Sequence, residues 1–406
     1  MLISGASSEF LKLTQEQIEE KYLVSWKNGF LVDCSQVNLP ICWSPFEQAA
    51  KQLTEHVEKK SIRETVLKLN GDHDIPKEKR QQLVLHKILT FLTSGYIWQD
   101  GEEDVPKELP WCLSKPLTRV SDALGVQPIL SYPSMILGNW KMKNVDKPFE
   151  FGNVNAMYWT PGGDGAEWFI VTHVIIEQRF APALDAIVEA MKHSSPGSED
   201  NAKLVEALRN IPKVMSEMMY TFTKINDGVQ PEHFYDELRI FYSGWGNGRN
   251  PLPDGLIYKG VYGDKPKTMK GGSAAQSTTL QLLDAALGIK HEGDQKNFLD
   301  EVRDYMMKEH RDFCDVVEEN SNIRKYVDQC ENDDVQLAYN KCIDAIRNFR
   351  NLHMKKVDQY IKRPSQRNDR RQAVEGLKDT GTGSTPYLEF LKRVNEDTKN
   401  CTLTKK

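Results

Sequence analysis

The sequence predicts a predominantly all-α protein, a small N-terminal domain over a large helical domain. Three observations carry that expectation. From Asp334 to Arg363 the chain runs DVQLAYNKCIDAIRNFRNLHMKKVDQYIKR, with no Pro or Gly before Pro364. Its apolar residues Leu337, Cys342, Ile343, Ile346, Phe349, Val357, Tyr360 and Ile361 keep the i, i+3, i+4, i+7 spacing of an amphipathic helix. Strand-like alternation is confined to short pieces around Phe149 and Phe151. The chain has 406 residues, more than one typical core, so two domains are expected. The boundary is expected near Pro161–Gly165, giving 1–161 and 162–406.

Composition narrows the class. Hydrophobic residues make up 39% and charged residues 27%, as in soluble globular proteins. A net charge of -5 gives no general attraction to nucleic acid or an acidic membrane. No apolar run reaches the roughly 18 residues of a membrane span. The start, MLISGASSEFLKLTQEQ, lacks the charged and apolar regions of a signal peptide. The seven cysteines are scattered and form no CxxC, so reduced thiols in the cytoplasm are expected.

In chain order, Thr14–Gln17 fits a capping box. Pro45 can start a helix through FEQAAKQLTEHVEKK, Ile62–Leu69 is a second, and Pro76 opens a third ending near Trp98. Gln99–Lys115 is acidic and Pro-containing, a connector, with a short helix PLTRVSDALG after it. His56 and His86 lie on these helices and read as structural or exposed. WFIVTHVIIEQRFAPALDAIVEAMKH is very apolar and helical, with a kink expected at Pro182. NAKLVEALRNIPKVMSEMMYTFTKIND is a long helix in which Pro212 allows a break. PEHFYDELRIFYSGW is another helix. The following GNGRNPLPDGLIYKGVYGDKPKTMKGG is a long irregular connection, and such loops are usually functional or disordered. SAAQSTTLQLLDAALGI and QKNFLDEVRDYMMKEHRDFCDVVEE are helices. The polar stretch 363–385 is expected to be mobile, and LEFLKRVNEDTKN is a last helix.

The chemistry is sparse. Nine histidines show no HExxH, HxH or His/Cys clustering, and no GxSxG elbow occurs. Gly271-Gly272-Ser273 lacks the Lys of a phosphate loop. GDGAEW and GTGST read first as solvated turns, although their backbone N–H groups suit an anion. Two histidines stand on unusually apolar helices. His353 lies four residues after Phe349 and four before Val357, and His173 sits among Val171, Val174, Ile175 and Ile176. Each reads either as a core histidine with a hydrogen-bonded ring or as a ligand or pocket residue of a haem, which needs one imidazole on a rigid apolar element. Arg239, between Phe234 and Phe241, needs an anion if buried: an internal carboxylate or a ligand.

Ordered motifs then give a resemblance. IRETVLKLN, ILSYPSMILGNWK, FYDELRIFYSGW, DGLIYKGVY with GGSAAQS, HRDF, FRNLHMKKVDQYI and GTGST followed by FLK span nearly the whole chain. With this spacing they resemble indoleamine 2,3-dioxygenase. The resemblance implies a small domain over a large helical one, with haem b between them. It implies His353 as the proximal iron ligand, with Arg350 and Asp284 as the groups that hold its helix and tune the metal. Tyr132, Phe169, Phe234 and Arg239 match the distal, substrate-binding pocket. Gly271, Gly272, Ser273 and Ala274 match a strip beside the haem, and Thr382 matches a residue closing over the substrate.

Two departures stand out. Where vertebrate members have a distal serine, this chain has His173, or Thr172 if the alignment slips by one. Ser384 replaces a glycine of the vertebrate loop. A distal histidine is similar to tryptophan 2,3-dioxygenase, which gives His173 and Arg239 catalytic roles here. The implied reaction inserts both atoms of O₂ across the indole C2–C3 bond of L-tryptophan, giving N-formylkynurenine, the first step of the kynurenine pathway. An electron donor keeping the iron ferrous, and a monomer, complete the expectation. The superfamily also holds myoglobin-like O₂ carriers without turnover, which is the alternative reading.

Overall fold

The computed structural model describes residues 9–197, 199–246, 251–367 and 387–404. Helices dominate, as the sequence predicts. The chain opens with α1 (Gln15–Tyr22), started by the expected capping box at Thr14 and Gln17. The stretch after Trp43 forms two helices where one is predicted, α2 (Ser44–Lys51) and α3 (Leu53–Glu58), before α4 (Ile62–Leu67). The long α5 (Lys79–Trp98) begins after Pro76, because Glu78 caps the N–H groups of Arg80 and Gln81.

The acidic connector is shorter than expected. It ends in strand β1 (Glu108–Leu109), and α6 (Trp111–Leu124) starts ahead of Pro116 rather than at it. A proline inside a helix clashes with the carbonyl four residues earlier, here that of Cys112. Gly71 makes room for that carbonyl, since a Cβ on Gly71 would stand 2.3 Å from it. Strands β2 (Trp140–Met142) and β3 (Val154–Ala156) pair antiparallel, Trp140 opposite Ala156.

The apolar stretch after Gly162 forms α7 (Gly163–Arg179) and α8 (Ala181–His193), separated at Phe180 as Pro182 requires. GDGAEW is therefore a first helical turn, not a loop. α9 (Asn201–Thr223) is the predicted long helix and runs unbroken through Pro212, where the sequence allows a break. The Leu208 carbonyl freed by that proline accepts the Cys342 thiol at 3.1 Å, so the helix continues without an orphaned acceptor.

PEHFYDELRIFY is not one regular helix. It passes from Pro231–His233 through a π-helical turn, Phe234–Leu238, to a 3₁₀ turn, Arg239–Tyr242. The connection beyond holds β4 (Leu256–Tyr258) and β5 (Pro266–Lys267), which the sequence did not suggest. β4 pairs parallel with β1 and antiparallel with β5. Then follow α10 (Thr278–Leu287), α11 (Gly293–Arg303) and α12 (Lys308–Asn320). The predicted single helix breaks between the last two, where Met306 and Met307 are buried and the Tyr305 hydroxyl accepts the Lys270 N–H at 2.7 Å.

After α13 (Ile323–Gln329) comes α14 (Asp333–Val357), the predicted amphipathic helix, ending in a π-helical turn over Asp358–Lys362. Cys342, Ile343, Ile346 and Phe349 are buried as its stripe requires, but Leu337 at the far end is 52% exposed. α14 packs against α9 on one side and α15 (Tyr387–Asn400) on another. One apolar core runs from Phe10 to Tyr360 through both halves of the chain. Among the described residues no helix is long and apolar enough to cross a membrane.

Candidate haem and substrate cavity

A cavity of about 280 Å³ opens among α7, α9, α10, α14 and the Phe234–Tyr242 turns. One water needs only about 10–15 Å³ on this measure, so the space is ligand-sized. The predicted residues Tyr132, Phe169, His173, Phe234 and Arg239 line it, as do Gly272, Ser273, Ala274, Asp284, Arg350 and His353. The structure thus brings together residues up to 221 positions apart, Tyr132 to His353. Gly271 does not line the cavity but anchors the strip, because a Cβ there would stand 2.1 Å from the Tyr242 carbonyl. Thr382, Ser384 and the rest of GTGST lie outside the described residues.

His353 projects from α14 into this space. Among the described residues neither ring nitrogen has a hydrogen-bond partner, and the Phe222 ring lies 6.1 Å away, tilted by 30°. Burial pushes its pKa down to about 4, and the neighbouring His173 adds to the shift. The ring keeps some accessible surface, and that surface faces the cavity it lines. A neutral imidazole with a bare lone pair in an apolar cavity is a ligand looking for a metal or a donor.

His173 is placed from α7. Its Nδ1 lies 2.8 Å from the Phe169 carbonyl one turn earlier. A carbonyl only accepts, so Nδ1 carries the proton and Nε2 is left as an acceptor. Burial lowers its pKa against that carbonyl's opposing pull, so the ring stays neutral at neutral pH. Thr172 faces elsewhere: its hydroxyl donates to the Trp168 carbonyl at 2.8 Å, and it is fully buried. Phe169 stacks on Phe234 at 5.2 Å and on Tyr242 at 5.5 Å. Arg239 is 2% exposed, and its guanidinium lies over the Tyr235 ring at 5.2 Å.

The wall has parts that the sequence did not reveal. Glu177, one turn past His173, is 2% exposed. Its carboxyl accepts the hydroxyls of Tyr132 (2.8 Å), Ser277 (2.6 Å) and Thr279 (2.7 Å). Burial raises its pKa against those three donors. Gln276 holds the neighbouring strip: its Nε2 donates to the Gly271 carbonyl at 2.9 Å and its Oε1 accepts the Tyr132 N–H at 3.0 Å. Ser273 accepts the Ala275 N–H and caps a 3₁₀ turn. Arg350 donates to Asp284 Oδ2 at 2.5 Å and to the Thr398 hydroxyl of α15. Burial would raise the Asp284 pKa, but Arg350 and His291 outweigh it and hold it low. A carboxylate within an otherwise surface-like EQRF, and a histidine in a loop, give no sequence signal of burial.

Comparison with known proteins places the chain in a family. The family model described as Indoleamine 2,3-dioxygenase matches residues 18–401. The chain belongs to the indoleamine 2,3-dioxygenase family. Indoleamine 2,3-dioxygenase 1 of Mus musculus is 34% identical over 395 residues, covering 95% of this chain and 96% of the relative. A protein named Myoglobin from Haliotis madaka is 35% identical over 381 residues, covering 93% and 97%. Indoleamine 2,3-dioxygenase of Saccharomyces cerevisiae is 28% identical over 439 residues, covering 95% and 94%. The family is one of haem-dependent oxidoreductases.

The residues fit a haem. A single partnerless imidazole suits a cofactor that supplies four of its own metal ligands. The surrounding wall of Met218, Phe222, Ile225, Phe349, Val357 and Ile361 is apolar, as a flat macrocycle requires. The cations Arg350 and Lys356 also reach the wall and suit its carboxylates.

Proposed function

We propose that this protein is a haem b dioxygenase that cleaves the indole C2–C3 bond of L-tryptophan and yields N-formylkynurenine. One observation carries the reading: two neutral imidazoles, His353 and His173, face one apolar cavity that a buried arginine also lines. His353 would hold the haem iron. Haem, when bound there, supplies the oxygen chemistry. The protein's part is to bind, orient and exclude water.

Each residue has a task on this reading. Arg239 receives the substrate carboxylate through two parallel N–H donors. Phe169 and Phe234, already stacked on one another, pack the indole. Tyr132 is fixed by its hydroxyl bond to Glu177, so its ring is a rigid wall. The free Nε2 of His173 accepts the indole N–H. Ser273 and Ala274 border the same space, and Arg350 and Asp284 steady α14 one turn from His353. With haem bound, an electron donor would keep its iron ferrous. Free thiols at all seven cysteines support a reducing, cytoplasmic setting, and we further take the protein to be a monomer with a domain division near residue 161.

The relatives named Myoglobin favour a second reading, an O₂-binding haem protein without turnover. Arg239 separates the two, because a carrier has no use for a carboxylate clamp. Ferrous protein supplied with O₂ and L-tryptophan should accumulate N-formylkynurenine, read by its absorbance. Arg239→Ala should lower kcat/KM for tryptophan about 10–150-fold, the equivalent of roughly 1.5–3 kcal/mol for a lost charge-assisted contact. It should affect an indole without a carboxylate far less. Haem uptake without product formation would favour the carrier. An equal loss for both substrates would make Arg239 a structural residue.

A further inference from the structure

Behind Arg350 and Asp284 the cavity wall continues to two charged groups, His291 and Asp397, that the proposed reaction does not use. His291 follows α10 in a loop and is nearly enclosed, its side chain 6% exposed. Its Nε2 lies 3.1 Å from Asp284 Oδ2, and its Nδ1 lies 2.9 Å from Asp397 Oδ2 on α15. A neutral imidazole has one N–H, so it can satisfy only one of two carboxylates. Both contacts are made by ring hydrogens only when the ring is an imidazolium. The same Asp284 oxygen receives Arg350 at 2.5 Å. Two carboxylates, Asp284 and Asp397, therefore face two cations, Arg350 and His291.

We propose that His291 is a positioning residue whose imidazolium balances Asp284 and Asp397, leaving Arg350 able to receive an anionic group in the cavity. On the haem reading above, on which this proposal rests, that group is a propionate. With His291 charged, the four groups sum to zero. With His291 neutral, they sum to one negative charge beside the place where an anion must sit, and one of the two contacts to α15 or α10 is lost.

The groups facing His291 are Asp284 from α10, Asp397 from α15 and Arg350 from α14, with the Cys401 thiol beyond Asp397. Burial alone would lower the pKa of His291, but the two carboxylates outweigh both it and Arg350 and raise it. The sign follows. Below about 6.5, the ordinary imidazole value, the ring is charged whether the chain is folded or not, and the contacts are fully present. They are lost as pH rises through the elevated folded value. By reciprocity, an anion bound at Arg350 raises that value further. A coupling of one pKa unit makes anion binding about tenfold weaker on the alkaline side.

The test is the rate of haem loss from haemin-reconstituted full-length protein to an excess of apomyoglobin, followed at the Soret band from about pH 6 to 9. The wild type should lose haem about tenfold faster on the alkaline side of the His291 transition. His291→Gln should be fast and flat across the range. Asp397→Asn, which keeps the imidazole but removes one carboxylate, should shift the rise to lower pH. The second variant carries the test if the first does not fold. A flat wild-type profile, or the wild-type rise persisting in His291→Gln, would overturn the role of His291. A wild type that takes up no haemin at any pH would instead overturn the haem reading itself.

Discussion

At the residue scale, the site depends on side chains whose protonation is set by burial. His353→Ala should abolish haem uptake, because no other described imidazole reaches the cavity from α14. A Soret band of normal position and intensity in that variant would show that the ligand lies elsewhere. His173 should read the indole N–H through Nε2, since Nδ1 is already given to the Phe169 carbonyl. His173→Ser should therefore narrow the preference for tryptophan over 1-methyltryptophan, measured as the ratio of kcat/KM or of binding constants. An unchanged ratio would assign that task to another group. Legibility at this scale follows a simple rule. His353, His173 and Arg239 stand out because a polar group on an apolar helix is anomalous by itself. Arg350 and Asp284 were visible only through family resemblance. Glu177 and His291 were invisible, because each is enclosed in part by a distant partner, Thr279 and Asp397, which lie 102 and 106 residues away.

At the scale of elements, the helices were legible and their interruptions were not. Pro182 and Pro212 present the same local signal, a ring within a helical pattern. The first ends α7 and the second leaves α9 whole, because only the Leu208 carbonyl meets a donor from another helix, Cys342. The π-helical turns at Phe234–Leu238 and Asp358–Lys362 have the same character. Each inserts an extra residue next to the cavity, as such turns often do at functional sites, and together they bring Phe234, Tyr360 and Ile361 to its wall. Periodicity cannot reveal this, since it assumes the regular 3.6 residues per turn. Pro116 inside α6 depends likewise on Gly71. Gly71→Ala should cost about 1–3 kcal/mol by overpacking against the Cys112 carbonyl, seen as a lower denaturation midpoint with an unchanged denaturant slope. Unchanged stability would mean that the carbonyl can move aside and that Pro116 does not need the gap.

At the scale of the molecule, α7, α9, α10 and α14 frame the cavity. Tyr132 and Glu177 tie the first half of the chain to the second, as does the Ser94 hydroxyl, which donates to the Phe241 carbonyl at 2.6 Å. The helical class was legible because it rests on local patterns. The cavity was not, because it is a space between elements far apart in sequence. On the proposed function the protein's part is to orient tryptophan and O₂, so no triad is needed. That claim has a direct measurement. Ferrous protein should be given L-tryptophan under O₂ carrying only the heavy oxygen isotope, and the product weighed by mass spectrometry. The account requires N-formylkynurenine with two heavy oxygen atoms. Product with one heavy atom or none, or haem that binds O₂ while tryptophan remains intact, would contradict it.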